Sequence, residues 1–270
     1  MVLQKNGGKR NSRQLQYAHR NLTYLTSKHM DSSPLACKLR TFVDLTEAEL
    51  LALEAIHQRR RSILIGREIV QQGQPDQAAY VLASGWACSY KILQDGQRQI
   101  VDIQIPGDFL GLRSVLLQTS DHSIFSITDV EVTEVLKSDL LEAFTRTPRL
   151  AAAALWSASR DEAMVVEHLV DVGRRSAAQR MAHFLLELGV RVALVGMGSK
   201  EGYACPLTQY LLADSLGLTP VHANRVLRQL REDGMLTFRD GFVSFSAYDR
   251  LAEFAQFDPT YLDQKELRLS

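Results

Sequence analysis

The chain has no run of about 18 consecutive apolar residues, so no membrane-spanning helix is expected. Its start is polar and basic, without the apolar core of a signal peptide, which predicts a soluble, cytoplasmic protein. Cysteine is scarce. Cys37, Cys88 and Cys205 stand far apart, odd in number and without a Cys-x-x-Cys pair, so no disulfide framework and no zinc or iron–sulfur site is expected; they read as ordinary thiols. A nucleophile, base and orienter grouping is missing too, as is a Gly-rich phosphate loop, and His122, His168, His183 and His222 are scattered. The sequence therefore predicts neither an enzyme nor a metal or other cofactor.

Net charge is also absent, with 31 basic residues against 31 acidic ones. That balance does not exclude a nucleic-acid partner, because the distribution of charge matters more than its sum. Lys5, Lys9, Arg10, Arg13, Arg20, Lys28, Lys38 and Arg40 face Asp31 alone within the first 40 residues, which leaves the remainder acidic. Residues 1–33 are polar and low in apolar periodicity and read as a flexible basic arm, either touching DNA phosphate or untethered. At 270 residues and 46% apolar content the chain is long enough for two modest domains with real cores.

What is present is clearest in residues 207–245. A helix is predicted from about Gln209 to Leu216, with Thr208 as its cap and Leu211, Leu212 and Leu216 as its apolar stripe. Gly217 supplies a sharp turn. Thr219 then caps a second helix with Pro220 at its first position, where a missing N–H costs nothing. Ala223, Val226, Leu227 and Leu230 recur at spacings of three and four and face inward, leaving Val221, Asn224, Arg225 and Arg228 outward. Asp240-Gly241 suits a two-residue hairpin turn, which sets Leu236 opposite Phe245 and Phe238 opposite Val243. Together these form a winged helix-turn-helix with a basic outer face, suited to the major groove of double-stranded DNA. Arg225 and Arg228 each carry a guanidinium able to grip a guanine edge or a phosphate. The plainer reading is a helical hairpin and a β-hairpin that complete a core, with the two arginines as solvated surface charges.

Upstream, Leu45 to Ile56 reads as a short amphipathic helix with Thr46 and Glu49 forming a capping box. Gly66, Gly73, Gly85, Asp95-Gly96 and Pro106-Gly107 then punctuate β-rich runs at Tyr80–Leu82, Trp86–Leu93 and Gln99–Ile105. Turns about every ten residues predict an antiparallel barrel or jelly roll, either holding a small ligand or packed with its own side chains. A long helix follows over 148–172, in which Leu155, Ala158, Glu162, Val165, Leu169 and Val172 alternate by three and four, the seam spacing of a two-stranded coiled coil. Dimerisation through this helix is the preferred reading; packing on its own barrel is the alternative. A further amphipathic helix runs from Ala177 to about Leu194 with Met181, Phe184, Leu185, Leu188 and Val192 on one face.

This order of elements resembles the Crp/Fnr superfamily of bacterial transcription regulators over about residues 35–250. The segments Gly66–Gly73 and Tyr80–Gly85 are similar to the family's early β-roll turns, Pro106–Gly111 to its mid-barrel turn, and Asp129–Val132 to the strand closing the roll. Gly173–His183 and Gly217–Arg225 resemble the DNA-binding half of a proteobacterial branch without a defined effector. The resemblance implies an α+β chain with an N-terminal β-roll or jelly-roll sensor domain (34–147), a long dimerisation helix (148–172) and a C-terminal winged helix-turn-helix domain (173–253), framed by the arm (1–33) and a tail (254–270). It further implies a homodimer on a palindromic operator and RNA polymerase as a partner. The rival function is a small-molecule-binding regulatory module whose helix-turn-helix makes protein contacts.

Two departures bear on ligand and operator. Members that bind cyclic AMP have Gly-Glu-Leu after the mid-barrel turn and an Arg-Ser pair downstream, whereas this chain has Gly111, Leu112 and Arg113, then Ser120-Asp121-His122-Ser123. No carboxylate stands at the ribose position and Asp121 opposes a phosphate, so cyclic AMP is not expected; Arg113 is an anion contact or an exposed loop arginine. Of the family's usual base readers only the later arginine, Arg225, is matched. Val221 suits a thymine methyl, His222 and Asn224 a base edge or phosphate, and Thr208 and Gln209 fall at positions that usually contact phosphate. The candidate DNA-binding set is thus Thr208, Gln209, Thr219, Val221, His222, Asn224, Arg225 and Arg228.

Overall fold

The computed structural model describes residues 33–75, 78–112 and 119–262. The basic arm before Ser33, Arg113 and the tail beyond Leu262 lie outside the described residues. Ser33 caps α1 (Pro34–Leu39), its hydroxyl accepting the Ala36 amide at 3.2 Å. Thr46 and Glu49 form the expected reciprocal box at the start of α2 (Glu47–His57).

Eight strands then build two antiparallel sheets: β1 (Arg60–Ile63), β2 (Glu68–Val70), β3 (Ala79–Ser84), β4 (Ala87–Ile92), β5 (Arg98–Gln104), β6 (Phe109–Leu110), β7 (Ser123–Ser126) and β8 (Val130–Val135). The strand orders are β1-β8-β3-β6 and β2-β7-β4-β5. Alternation explains the pairing: Val130 and Val132 are buried while Glu131 between them is exposed. With Val70, Leu82, Leu110 and Ile124 they fill the interior of the roll. Gly107, at φ +93°, seats α1 against the mid-roll turn, because a Cβ there would lie 2.7 Å from the Pro34 carbonyl oxygen. That close approach brings Lys38 to Asp108, with Nζ 2.8 Å from Oδ1.

Helices α3 (Lys137–Arg146), α4 (Pro148–Arg174) and α5 (Ala177–Leu194) follow. One side of α4 lies on its own roll: Leu150 and Ala153 join Leu35, Leu39, Val81 and Val135 in one cluster, and Trp156 stacks on Phe42 with ring centres 5.3 Å apart. The other side is open. Leu155 and Leu169 are 62% and 72% exposed, Val165, Val172 and Glu162 are exposed, and Ala158 is half-buried. The two readings of this helix are therefore not exclusive, since a helix about 40 Å long has faces for both.

The C-terminal part contains β9 (Gly198–Ser199), β10 (Gly202–Ala204), α6 (Gln209–Leu216), α7 (Pro220–Glu232), β11 (Leu236–Arg239), β12 (Phe242–Phe245) and α8 (Tyr248–Ala255), closed by a single helical turn at Pro259–Tyr261. Its sheet runs β11-β12-β10-β9. Within residues 254–262, set above in a tail, Phe257 and Leu262 are buried in the same cluster as Leu185 and Leu188. The same apolar cluster continues into the roll through Cys88, Ile100 and Ile103, so the C-terminal part and the roll share one core.

Candidate nucleic-acid interface

Thr208 has extended backbone angles and its Oγ1 accepts the Leu211 amide at 3.3 Å, which starts α6. Leu211, Leu212, Ala213 and Leu216 are buried, fixing the helix's orientation, and Gly217 ends it in the left-handed region at φ +61°. Thr219 then opens α7, its Oγ1 accepting the His222 amide at 3.2 Å with Pro220 in the first turn. Ala223, Val226 and Leu230 are buried and Leu227 is half-buried, which leaves the opposite side of α7 to solvent.

Thr208, Gln209, Thr219, Val221, His222, Asn224, Arg225 and Arg228 are all exposed, Val221 at 72%. Gln209, Val221, Asn224, Arg225 and Arg228 come together on an open groove of about 660 Å³ between the front of α6 and the outer side of α7. Thr208, Thr219 and His222 stand outside its lining, and the two threonine hydroxyls are engaged as caps. Arg228 is tied by Nε to Glu232 Oε1 at 3.0 Å across one turn, an exposed pair of little stability. Arg225 has no ion-pair partner among the described residues, so its donors are available.

Tyr210, Gln229 and Glu232 also line this groove, and the sequence reading missed them. Their signal was present. Tyr210, 69% exposed, falls off the Leu211–Leu212–Leu216 stripe, and Gln229 and Glu232 repeat the face of Arg225 at four and seven residues on. Beside the helices, Asp240 and Gly241 both take positive φ, 49° and 71°, making the mirror-image turn that suits hairpin twist. Leu236 pairs with Phe245 and Phe238 with Val243, the register expected from a two-residue loop.

Comparison with known proteins agrees with this geometry. The family described as a cyclic nucleotide-binding domain matches residues 60–147, and the Crp-like helix-turn-helix domain matches 179–254. The nitrogen fixation regulation protein FixK of Rhizobium meliloti is 32% identical over 177 residues, covering 65% of this chain and 76% of that protein. FixK of Bradyrhizobium diazoefficiens is 31% identical over 212 residues, covering 77% and 87%. The solved structure of FixK2 from Bradyrhizobium japonicum superposes with a TM-score of 0.65 at 28% identity, covering 72% of this chain and 96% of that one.

Two described positions lack the groups that hold cyclic AMP in the members that bind it. Leu112, where the resemblance puts a ribose-binding carboxylate, packs against the apolar cluster of Leu35 and Leu39. Asp121 brings a carboxylate, hydrogen-bonded to His122 Nδ1 at 2.7 Å, to the stretch where an Arg-Ser pair holds the phosphate. The groove, the wing and the matches to both halves converge: the chain belongs to the Crp/Fnr family and is a non-enzymatic, DNA-binding transcription regulator of the FixK and Fnr type.

Proposed function

We propose that the chain acts as a homodimer on a palindromic operator, with α7 of each protomer in the major groove of one half-site. The observation that carries this reading is the unpartnered apolar side of α4. Leu155, Val165, Leu169 and Val172 stay exposed on a helix whose other side is already committed to its own roll, and heptad spacing is what a second copy of the same helix covers. Two-fold symmetry then places two identical grooves on two equivalent half-sites about one helical turn apart. Within each groove Arg225 reads a base, Val221 meets an apolar base edge, Arg228 and Asn224 add base or phosphate contacts, and Gln209 and Thr208 meet the backbone. No helix among the described residues is long and apolar enough to cross a membrane.

The rival, a helix-turn-helix serving protein contacts, has the exposed Tyr210 and Val221 in its favour. Salt separates the two readings. Phosphate neutralisation makes DNA affinity fall steeply and linearly on a log–log plot, whereas a packing contact does not respond in that way. Sedimentation of the protein with a palindromic duplex is the test: two chains per duplex support the proposal, and one chain per duplex contradicts it.

A further inference from the structure

Helix α6 is held at both ends. Its N-terminal end, at Gln209, borders the DNA groove. Its C-terminal end is gripped by the roll. Arg98 of β5 directs Nε and Nη2 to Asp214 Oδ2, at 2.9 and 2.6 Å, and Gln99 Nε2 donates to the Ser215 carbonyl at 3.4 Å. Both acceptors lie in the last turn of α6, where unpaired carbonyls form the negative end of the helix dipole. Asp214 adds to that negative end, so a cation supplied from outside the helix is favoured there.

The cation is supplied in a fixed position. The Arg98 guanidinium carbon sits 5.0 Å from the centre of the Phe125 ring and 5.7 Å from that of Tyr90. Those rings meet edge to face at 5.5 Å, and the Tyr90 hydroxyl donates to Glu68 Oε1 at 2.5 Å. A planar guanidinium laid on two braced rings loses little further freedom when it pairs, unlike an arginine waving in solvent. Around the pair, Ile100 and Cys88 of the roll share a core with Leu212 and Leu216 of the helix-turn-helix, so the ionic contact sits at the edge of an apolar seat. The helix so gripped is eight residues long, about 12 Å, a short strut from roll to DNA groove.

We propose that Arg98 is a positioning residue for DNA recognition: from the roll it holds the C-terminal end of α6 through Asp214 and sets the angle at which each protomer's helix-turn-helix meets its half-site. The inference rests on the homodimer reading above. Arg98 does not line the groove, so its signature differs from that of a base reader. A base reader decides which letters are chosen; a positioning residue decides how far apart the two copies of those letters lie.

The test is a binding selection with the full chain on palindromes of constant half-site and varied spacer. The wild-type protein selects one spacer length. Arg98→Ala and Asp214→Ala each reduce the preference for that spacer over one shifted by a single base pair, by about three- to tenfold, with base preference inside the half-site unaltered. Arg98→Lys, which retains the charge but not the planar fork, keeps part of the preference and falls between the wild type and the alanine variants. A wild-type spacer preference that both alanine variants retain in full overturns the positioning role while leaving the homodimer reading intact. A wild-type protein that selects single half-sites with no spacer preference overturns the homodimer reading and the positioning role with it.

Discussion

Arg191 Nη2, on the first helix of the DNA-binding half, lies 2.8 Å from Asp108 Oδ2, in the mid-roll turn, and both side chains are almost completely buried. The same guanidinium donates to the Ile103 carbonyl at 2.8 Å and stands 3.3 Å from Asp102 and 3.5 Å from Glu187. Lys38 takes the other oxygen of Asp108, and His168 and the Tyr261 hydroxyl take Glu187. Burial raises the cost of each charge, but Lys38 and Arg191 together hold the Asp108 carboxyl well below its usual range. One ionic network thus joins α1, β5, α4, α5 and the C-terminal turn.

Removing the hub should therefore be severe. Arg191→Met takes from Asp102 its main counter-charge and from Asp108 and Glu187 a second cation beside Lys38 and His168, and a loss of about 3–5 kcal/mol of stability is expected. Denaturant unfolding of the full chain checks it. A loss below about 1 kcal/mol would mean that water reaches these carboxylates and that the network does not bind the two halves together.

The network also carries a pH dependence with a defined sign. Burial opposes the charge on His168, yet the charge and hydrogen bond of Glu187, with the Asp102 carboxylate, together outweigh it and lift the imidazole from 6.5 to about 9. A raised folded-state pKa gives stability that is fully present below 6.5 and is lost as pH rises through about 9. The wild-type protein should lose stability across that window, and His168→Gln should lack this component of the slope. Glu187, held down to about 2 by His168 and Arg191 against the effect of burial, acts at the other end: its contribution is present above 4.5 and disappears as pH falls through about 2.

Placing charge in the open side of α4 tests the oligomer. Leu155→Asp with Leu169→Asp should yield folded monomers that bind the full palindrome at least tenfold more weakly, because neither position supports the protomer's own core. Sedimentation velocity reads the outcome. Dimers that persist in the double variant would move the interface elsewhere.

Cyclic AMP should bind no more than weakly and leave operator affinity unchanged, since Leu112 and Asp121 replace the groups that grip ribose and phosphate. Calorimetric titration is the check. Micromolar binding coupled to a change in DNA affinity would show that other residues have taken over the pocket.

The parts of this molecule that were readable in advance are those specified by neighbouring residues. Thr219-Pro220, Gly217 and Asp240-Gly241 each dictate a local backbone shape, and the helix boundaries and wing register follow from them. The helix α4 and the inner face of α5 were legible because periodicity is also local. Lys38, Asp102, Asp108, Glu187 and Arg191 gave no such signal: they come from separate elements, and a charged residue on a helix reads as solvated until the fold closes over it. His168 and Tyr261 were overlooked for the same reason, as was the contact of Arg98 with Asp214, which spans 116 residues of chain. The helix α3 and the strand pair β9 and β10 were not anticipated at all, the latter being too short for alternation to register.

The central claim, that the outer side of α7 reads DNA sequence, is tested most directly by binding selections on randomised duplexes with Arg225→Ala and Gln209→Ala beside the wild type. Arg225→Ala is expected to cost about 1–3 kcal/mol at the preferred site and to relax selectivity at one base pair in each half-site, symmetrically about the dyad, while Gln209→Ala weakens all sequences alike. An Arg225→Ala protein whose sequence preference is unchanged would contradict the account and leave that arginine on the phosphate backbone.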